Sequence, residues 1–370
     1  MPDDARPRTG SPRRRADHRP HRALRRGGVV LQRHRGSGRA LRDGRRAPCR
    51  LRPDRPCRAH ARGALLRDRT RRRRRASGVA RGRVPVTPRV GYQGAPGAYS
   101  EECADALFPV AELVPIRTFP EVFAALEGGN IDAAVVPVEN TLAGAVVDVY
   151  DLLRQHRELS IAAEAILPVR HCLVAIPGTK LEDVRVARSH SQALMQVEPW
   201  LRAHGIDAEI AYDTAGAAAE VASGRDRRVA AVASRRAAEH RGLAILAEDL
   251  APPDQNFTRF FALTNRDDRS TSQAIPAKLR SGPPKTSLVF AVHDAPGALV
   301  RALQPFATAG VNLAKIESRP SRAQPWDYCF YVDLHGDPET SPTKEAVALL
   351  RLTAAWVEIL GTYPMANGRL

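Results

Sequence analysis

Cysteine is scarce in this chain, five in 370 residues, and its placing argues against two classes of protein. Cys49 and Cys57 lie near the start, while Cys103, Cys172 and Cys329 stand singly among apolar neighbours. No CxxC or other paired spacing occurs, so neither a disulfide framework nor a zinc site is expected. Apolar runs are short, far below the roughly 20 residues that span a bilayer, which leaves no membrane partner to expect. Also missing are a dinucleotide-binding glycine fingerprint, a phosphate loop ending in Lys, and a G-x-S-x-G nucleophile elbow. No cofactor and no metal are expected.

Lysine, glutamate and aromatic residues are absent from residues 1–83, which hold 29 Arg and six Asp. That segment carries a formal +23 and the remaining 287 residues −6, so the whole-chain charge of +17 comes from the tail alone. A stretch with Arg runs such as residues 71–75 and little aliphatic periodicity cannot offset the entropy of folding. Residues 1–86 are therefore read as a disordered tail, in part an overlong start in an Arg-biased frame. Asp3, Asp4 and a scarcity of Ser argue against a transit peptide, and no apolar segment with a cleavage site marks secretion. Without aromatics the tail makes a poor stacking platform, so no nucleic-acid partner is expected. The body reads as cytoplasmic.

From residue 88 short apolar runs alternate with amphipathic segments. IDAAVVPV, VRVARS, AEIAYD and RVAAVAS read as strands; the stretches beginning VDVYDLL, SQALMQV and TAGAAAE read as helices, the last two closed by Gly205 and Gly224. This alternation predicts a parallel sheet covered on both faces. Residues 266–284 break it with charge, Ser, Gly and Pro and read as a linker. Residues 285–365 then give strand, helix, two strands, helix and strand, a ferredoxin-like βαββαβ unit.

Ligands of open α/β sheets bind beyond the carboxyl ends of strands. Gly94 and Gly97 follow the first strand and Ser100 opens the next helix. Glu139, Asn140 and Thr141 end another strand, Ser189 and His190 a third, with Gln192 and Gln196 on the helix beyond. Asp213 and Thr214 end a fourth. In DQNFTRFFAL, Thr258 stands beside Arg259 in an otherwise apolar strand. Each has a plain reading as a cap or turn. Taken together they outline a polar cleft for a small anion.

The segments GYQGAPGAYSE, PVENTLAGAV, LPVRHCLVAIPG, SHSQAL, DTAGAAAEVA and NFTRFFAL, with GAL and ESRP further on, closely resemble prephenate dehydratase with its ACT regulatory domain. Several also resemble plant arogenate dehydratases. Ser191 and Met195 depart from the usual pattern. The resemblance implies an α/β catalytic region over 88–265 of periplasmic-binding-protein type II form. Lobe one would comprise about 88–165 and 245–265, lobe two about 166–244, and an ACT domain would occupy 285–365. It implies Thr258, Glu139 and Asn140 as catalytic residues. Arg259, Phe260, Thr141, Ser189, His190, Gln196, Thr214 and Ser100 would bind substrate, with Arg259 on a substrate carboxylate and Glu139 a candidate proton source. The expected reaction turns prephenate into phenylpyruvate, or arogenate into phenylalanine; a non-catalytic amino-acid sensor is the alternative of another class. L-phenylalanine would be the effector, held by Gly297, Ala298, Leu299, Asn312, Leu313, Glu317, Ser318, Arg319 and Pro320 in a homodimer or homotetramer. A chain ending near residue 270 is expected to keep catalysis and lose control by phenylalanine.

Overall fold

The computed structural model describes residues 87–252, 254–320 and 328–370. The expectations for residues 1–86 lie outside these. β1 (Arg89–Gln93), β2 (Glu112–Ile116) and β3 (Ala133–Asn140) run parallel, joined by α1 (Tyr99–Leu107) and α2 (Phe119–Glu127). β4 (Gly144–Ala145) and α3 (Val147–Gln155) lead into β5 (Leu159–Pro168). The chain then leaves for a second sheet. It is built from β6 (Cys172–Ala175), β7 (Val186–Ser189), α4 (Ser191–Ala203), β8 (Asp207–Ile210), α5 (Thr214–Ser223), β9 (Val229–Ala233), α6 (Arg235–Arg241) and β10 (Ala244–Ala247). β11 (Phe257–Asn265) returns to the first sheet and lies between β3 and β5, in the order β2-β1-β3-β11-β5. The second sheet has the order β10-β6-β9-β7-β8.

Neither sheet is purely parallel, contrary to the reading of the alternation. β11 is antiparallel to both β3 and β5, and β6 to both β9 and β10. The chain crosses between lobes twice and re-enters each sheet from the opposite end, which strand-helix alternation alone does not reveal. A core of Val90, Leu107, Val135, Val174, Ala218, Ala237 and Phe260 runs through both lobes. At this junction Gly97, at φ +98°, lies so close to α6 that a Cβ there would sit 2.5 Å from the Ala237 Cα. Ser234 Oγ donates to the Gly97 carbonyl at 2.6 Å across the same contact.

After α7 (Arg269–Ser272) come β12 (Pro284–Ala291), α8 (Ala298–Thr308), β13 (Leu313–Pro320), β14 (Tyr328–His335), α9 (Thr343–Thr353) and β15 (Trp356–Pro364), with sheet order β13-β14-β12-β15. The stretch 266–284 is no free linker, because Ile275 is buried in the two-lobe core and Leu279 packs on it. Strand alternation gives the C-terminal sheet two apolar faces. Leu288, Phe290, Val332 and Leu334 meet Ala302, Phe306, Val347 and Leu350 of α8 and α9. On the other face Val289, Cys329, Tyr331, Leu360 and Tyr363 join Ile161, Phe261 and Leu263 of lobe one in a single cluster. Backbones touch there as well: a Cβ on Gly361 would lie 2.4 Å from the Ile161 carbonyl oxygen. The C-terminal unit is therefore not a separable attachment, and a chain ending near 270 would uncover that face. Among the described residues no helix is long and apolar enough to cross a membrane.

Candidate active site

The cleft between the lobes encloses about 680 Å³, within the range of small-molecule sites. Five helices open onto it. α1, α2, α3, α4 and α5 each contribute first-turn residues to the lining: Tyr99 and Ser100, Phe119 and Pro120 with their cap Thr118, Val147 and Asp148, Gln192 with its cap His190, and Thr214 with its cap Asp213. α1 and α3 begin at Ala98 and Val146 with no side-chain cap, so their first N–H groups face the cleft with the positive end of the helix dipole. Among the described residues, no lysine or arginine lines the cleft. An anion held here would rest on helix N-termini and hydroxyls.

Thr258, Asn140, Phe260, His190, Gln196, Thr214 and Ser100 are brought together as the sequence suggested. Asn140 is the organiser. Its Nδ2 lies 2.8 Å from Asn256 Oδ1, 3.1 Å from the Phe257 carbonyl and 3.0 Å from Thr258 Oγ, while its Oδ1 accepts from the Leu142 and Ala143 amides at 2.9 Å. Thr258 Oγ thus serves as acceptor inside the wall and keeps its own proton for a ligand. Gln196 ties this corner to lobe two by donating to Asn140 Oδ1 at 3.3 Å and accepting from Asn256 Nδ2 at 2.8 Å.

His171, Asn256 and Tyr99 belong to this corner and were not picked out from sequence. His171 Nε2 lies 2.8 Å from Gln196 Oε1, and its Nδ1 is 3.1 Å from Tyr99 Oη. Burial pushes the His171 pKa down, and the hydrogen bond it donates to Gln196 Oε1 only partly opposes this. The ring is neutral and bridges the first residues after β5 to α4. A histidine at the crossover between sheets is a usable sequence signal only once the crossover is known.

Four expected site residues lie elsewhere. Ser189 is fully buried and donates to the Val232 carbonyl at 2.6 Å, holding β7 to β9. Thr141 Oγ donates to the Gln255 carbonyl at 2.5 Å and accepts from the Phe257 amide at 2.9 Å, which fastens β3 to the start of β11. Arg259 and Glu139 are corrections of larger consequence. Thr258 and Phe260 face the cleft, so the residue between them points to the far side of the sheet. Arg259 there bonds Glu164 at 2.7 Å, Asp333 at 2.5 Å and Tyr363 Oη at 3.0 Å. Glu139, paired with Arg259 in register, goes the same way and meets Lys315 Nζ at 3.0 Å. Neither lines the cleft, so neither is placed to grip a substrate carboxylate or to pass it a proton. Of the two departures from the family pattern, Met195 is exposed on α4 and Ser191 opens that helix.

Among the described residues, no serine, threonine or cysteine of the cleft is hydrogen-bonded to a histidine, and His190 Nδ1 accepts from the Gln192 amide at 3.3 Å. The arrangement holds no activated hydroxyl nucleophile. It offers one oriented hydroxyl donor, a ring of helix N-termini for carboxylates, and an apolar wall of Phe119, Pro137, Val169 and Phe260.

In the C-terminal unit, Gly297 caps α8 at φ +73° and is followed by Ala298 and Leu299. Asn312 precedes β13, the edge strand that carries Leu313, Glu317, Ser318, Arg319 and Pro320.

Comparison with known proteins gives two family matches: prephenate dehydratase over residues 90–268 and the ACT domain over 286–348. The curated protein arogenate dehydratase/prephenate dehydratase 1, chloroplastic, of Arabidopsis thaliana is 42% identical over 291 residues, spanning 75% of this chain and 72% of its own length. The solved prephenate dehydratase of Arthrobacter aurescens in complex with L-Phe is 30% identical, covers 75% of this chain and 90% of that one, and superposes with a TM-score of 0.66. A solved protein called GqqA, described as a novel type of quorum quenching acylase, is 36% identical over 75% of this chain and 98% of its own, with a TM-score of 0.67.

Proposed function

This chain belongs to the prephenate dehydratase family, a hydro-lyase with an ACT domain behind its catalytic region, and we propose that its cleft converts prephenate to phenylpyruvate. Prephenate is a cyclohexadiene bearing a carboxylate and a pyruvyl group on one ring carbon and a hydroxyl on the carbon opposite. When the bond to the ring carboxylate breaks, its electron pair moves through the diene and expels the hydroxyl. The products are carbon dioxide, an aromatic ring and a hydroxide, which becomes water by taking a proton from solvent.

The observation that carries this reading is the hydrogen bond from Asn140 to Thr258 at 3.0 Å. It fixes the threonine oxygen as an acceptor and directs its proton to the departing hydroxyl. A threonine is too weak an acid to give that proton up unaided, so it supports the leaving oxygen by hydrogen bonding while aromatisation drives the step. The pyruvyl carboxylate is read as meeting the uncapped starts of α1 and α3, each such contact contributing about 0.3–1 kcal/mol. The carboxylate that leaves as carbon dioxide faces the apolar wall, where its charge is least supported. Purified protein supplied with prephenate should yield phenylpyruvate well above the uncatalysed background; background-level conversion of both prephenate and arogenate would overturn the assignment.

Arogenate is the second reading, favoured by Asp148 and Asp213 on the cleft lining. Arogenate carries an ammonium where prephenate has a ketone, and a carboxylate rim without lysine or arginine suits that charge. The ratio of kcat/KM for the two substrates decides between them.

We also read the ACT domain as the site of feedback by L-phenylalanine, supported by the relative solved with that amino acid. Gly297 leaves the α8 amides open to a carboxylate, and Glu317 and Ser318 on β13 suit an amino group. β13 is an edge strand, so a second copy can pair beside it, giving a homodimer or a homotetramer. Gly297→Val is expected to abolish inhibition by phenylalanine and leave turnover intact. Calorimetry that detects no phenylalanine binding to the intact protein would remove the regulatory reading. Among the described residues, three free, buried cysteines fit a reducing compartment, which we take to be the cytoplasm.

A further inference from the structure

We propose that Arg259 is a positioning residue that lets the ACT domain set the placement of the Thr258 hydroxyl. The inference rests on the reading of the cleft as the dehydratase site and is independent of which amino acid the ACT domain binds.

The two groups that define the reacting corner, Thr258 and Asn140, are partners in register on β11 and β3. Their chain neighbours Arg259 and Glu139 are also partners in register, with a bulge directly after Arg259. Both neighbours are held from the ACT side. Asp333 of β14 and Tyr363 of β15 take the Arg259 guanidinium, which also lies over the Phe261 ring at 4.8 Å. Lys315 of β13 takes Glu139 at 3.0 Å, and Arg259 reaches the same carboxylate at 3.8 Å. The clasp continues sideways, with Glu164 bridging Arg259 to Lys285 at 3.0 Å and Ser287 Oγ joining Asp333 at 2.5 Å to Tyr363 at 2.6 Å.

These contacts are desolvated. The Arg259, Glu164 and Asp333 side chains are 12%, 2% and 6% exposed. Burial opposes the charge of Arg259, yet the field of Asp333, with Tyr363 and Glu164, holds its pKa above the ordinary value. A buried cation cannot be left behind by its carboxylates without large cost. Movement of the ACT sheet against lobe one therefore strains Arg259 between Asp333 and its lobe-one partner Glu164, and pulls on the more exposed Glu139 through Lys315. One peptide unit away it re-aims Thr258 and Asn140, where a shift of about 1 Å can cost on the order of 10²-fold in rate. β13, which supplies Lys315, is also the strand proposed to meet the effector.

The test is a double-mutant cycle between the two faces of β11, read on the full-length protein. Asp333→Asn should lower kcat roughly tenfold while KM stays within twofold, because the cleft lining is untouched. Tyr363→Phe, a gentler change that removes one hydroxyl, should lower kcat about threefold and guards against Asp333→Asn failing to fold. The deciding number is the effect of Thr258→Ser on kcat in each background. Coupling predicts that it differs at least fivefold between wild type and Asp333→Asn, and about threefold between wild type and Tyr363→Phe. Rate effects that multiply independently to within 1.5-fold in folded variants would overturn the inference, even with the dehydratase activity established. If wild type turned over neither substrate, the site reading would fail instead. Hydrogen exchange at the Thr258–Phe261 amides then decides, with faster exchange expected in Tyr363→Phe and unchanged exchange refuting the clasp.

Discussion

Replacing Thr258 by valine removes one hydroxyl and almost no volume, which separates what the oxygen does for the fold from what it does in the cleft. In the wall, Asn140 Nδ2 has two hydrogens and three acceptors within 2.8–3.1 Å. Losing Thr258 Oγ leaves Asn256 Oδ1 and the Phe257 carbonyl to take both. No donor is orphaned, so the cost should stay below the ~1 kcal/mol of an ordinary hydrogen bond. In the cleft the same hydroxyl faces the leaving group, where one positioned hydrogen-bond donor is worth about 10²–10³-fold, or about 3–4 kcal/mol of barrier. Thr258→Val should therefore cut kcat at least a hundredfold and leave the melting temperature within a degree or two. Thr258→Ser keeps the oxygen and should stay within tenfold. Phenylpyruvate formation at saturating prephenate and a circular-dichroism melt supply both readouts. A valine variant within threefold of wild type would show that the hydroxyl is structural; a large fall in melting temperature would show that Asn140 depends on it.

Gly97→Ala places a methyl 2.5 Å from the Ala237 Cα at a left-handed φ, so a loss of roughly 2–4 kcal/mol is expected from overpacking and backbone strain together; an unchanged urea midpoint would refute the close packing of the lobes there. His171 has its pKa lowered by burial, so its neutral form contributes stability that is full above the ordinary histidine value of about 6.5 and is lost as pH falls through the lowered one. His171→Gln should flatten the fall in melting temperature between pH 7 and 5, and an unaltered slope would mean that another group governs it. A chain ending at residue 270 uncovers Phe261, Leu263 and Ile161 and strips Arg259 of Asp333 and Tyr363. It should be insoluble or inactive, and a soluble fragment with full turnover would contradict the shared core.

Asn140 was legible because the end of a buried strand gives few other reasons for an Asn, and Thr214 and Gln196 because the helices that carry them start beyond strand ends on the same edge. The positions of Arg259 and Glu139 were legible in principle. Adjacent strand residues point to opposite faces, so Thr258 and Arg259 cannot both enter one cleft from a regular strand. What hid this was the sheet's second face, which in an isolated catalytic region would lie in water, where a buried arginine has no place. Only the docked ACT sheet, with Asp333 seventy-four positions further along the chain, gives Arg259 somewhere to go. Asn256 and His171 escaped notice for a similar reason. Each sits where the chain passes between lobes, and from sequence those passages look like ordinary turns.

The place of β11 between β3 and β5 has a consequence for synthesis. The ladder that joins these two strands is made of residues 257–265, and all of lobe two, Cys172–Ala247, precedes it on the way out of the ribosome. Chains emerge at about 5–20 residues per second and their domains fold as units, so the lobe that begins the catalytic region is the later of the two to close. Until then β3 and β5 present bare edges, the condition that invites strand pairing between molecules. A nascent chain that stalls within lobe two therefore leaves lobe one open to aggregation and clearance, and an active cleft forms only on chains that have already made both of its walls.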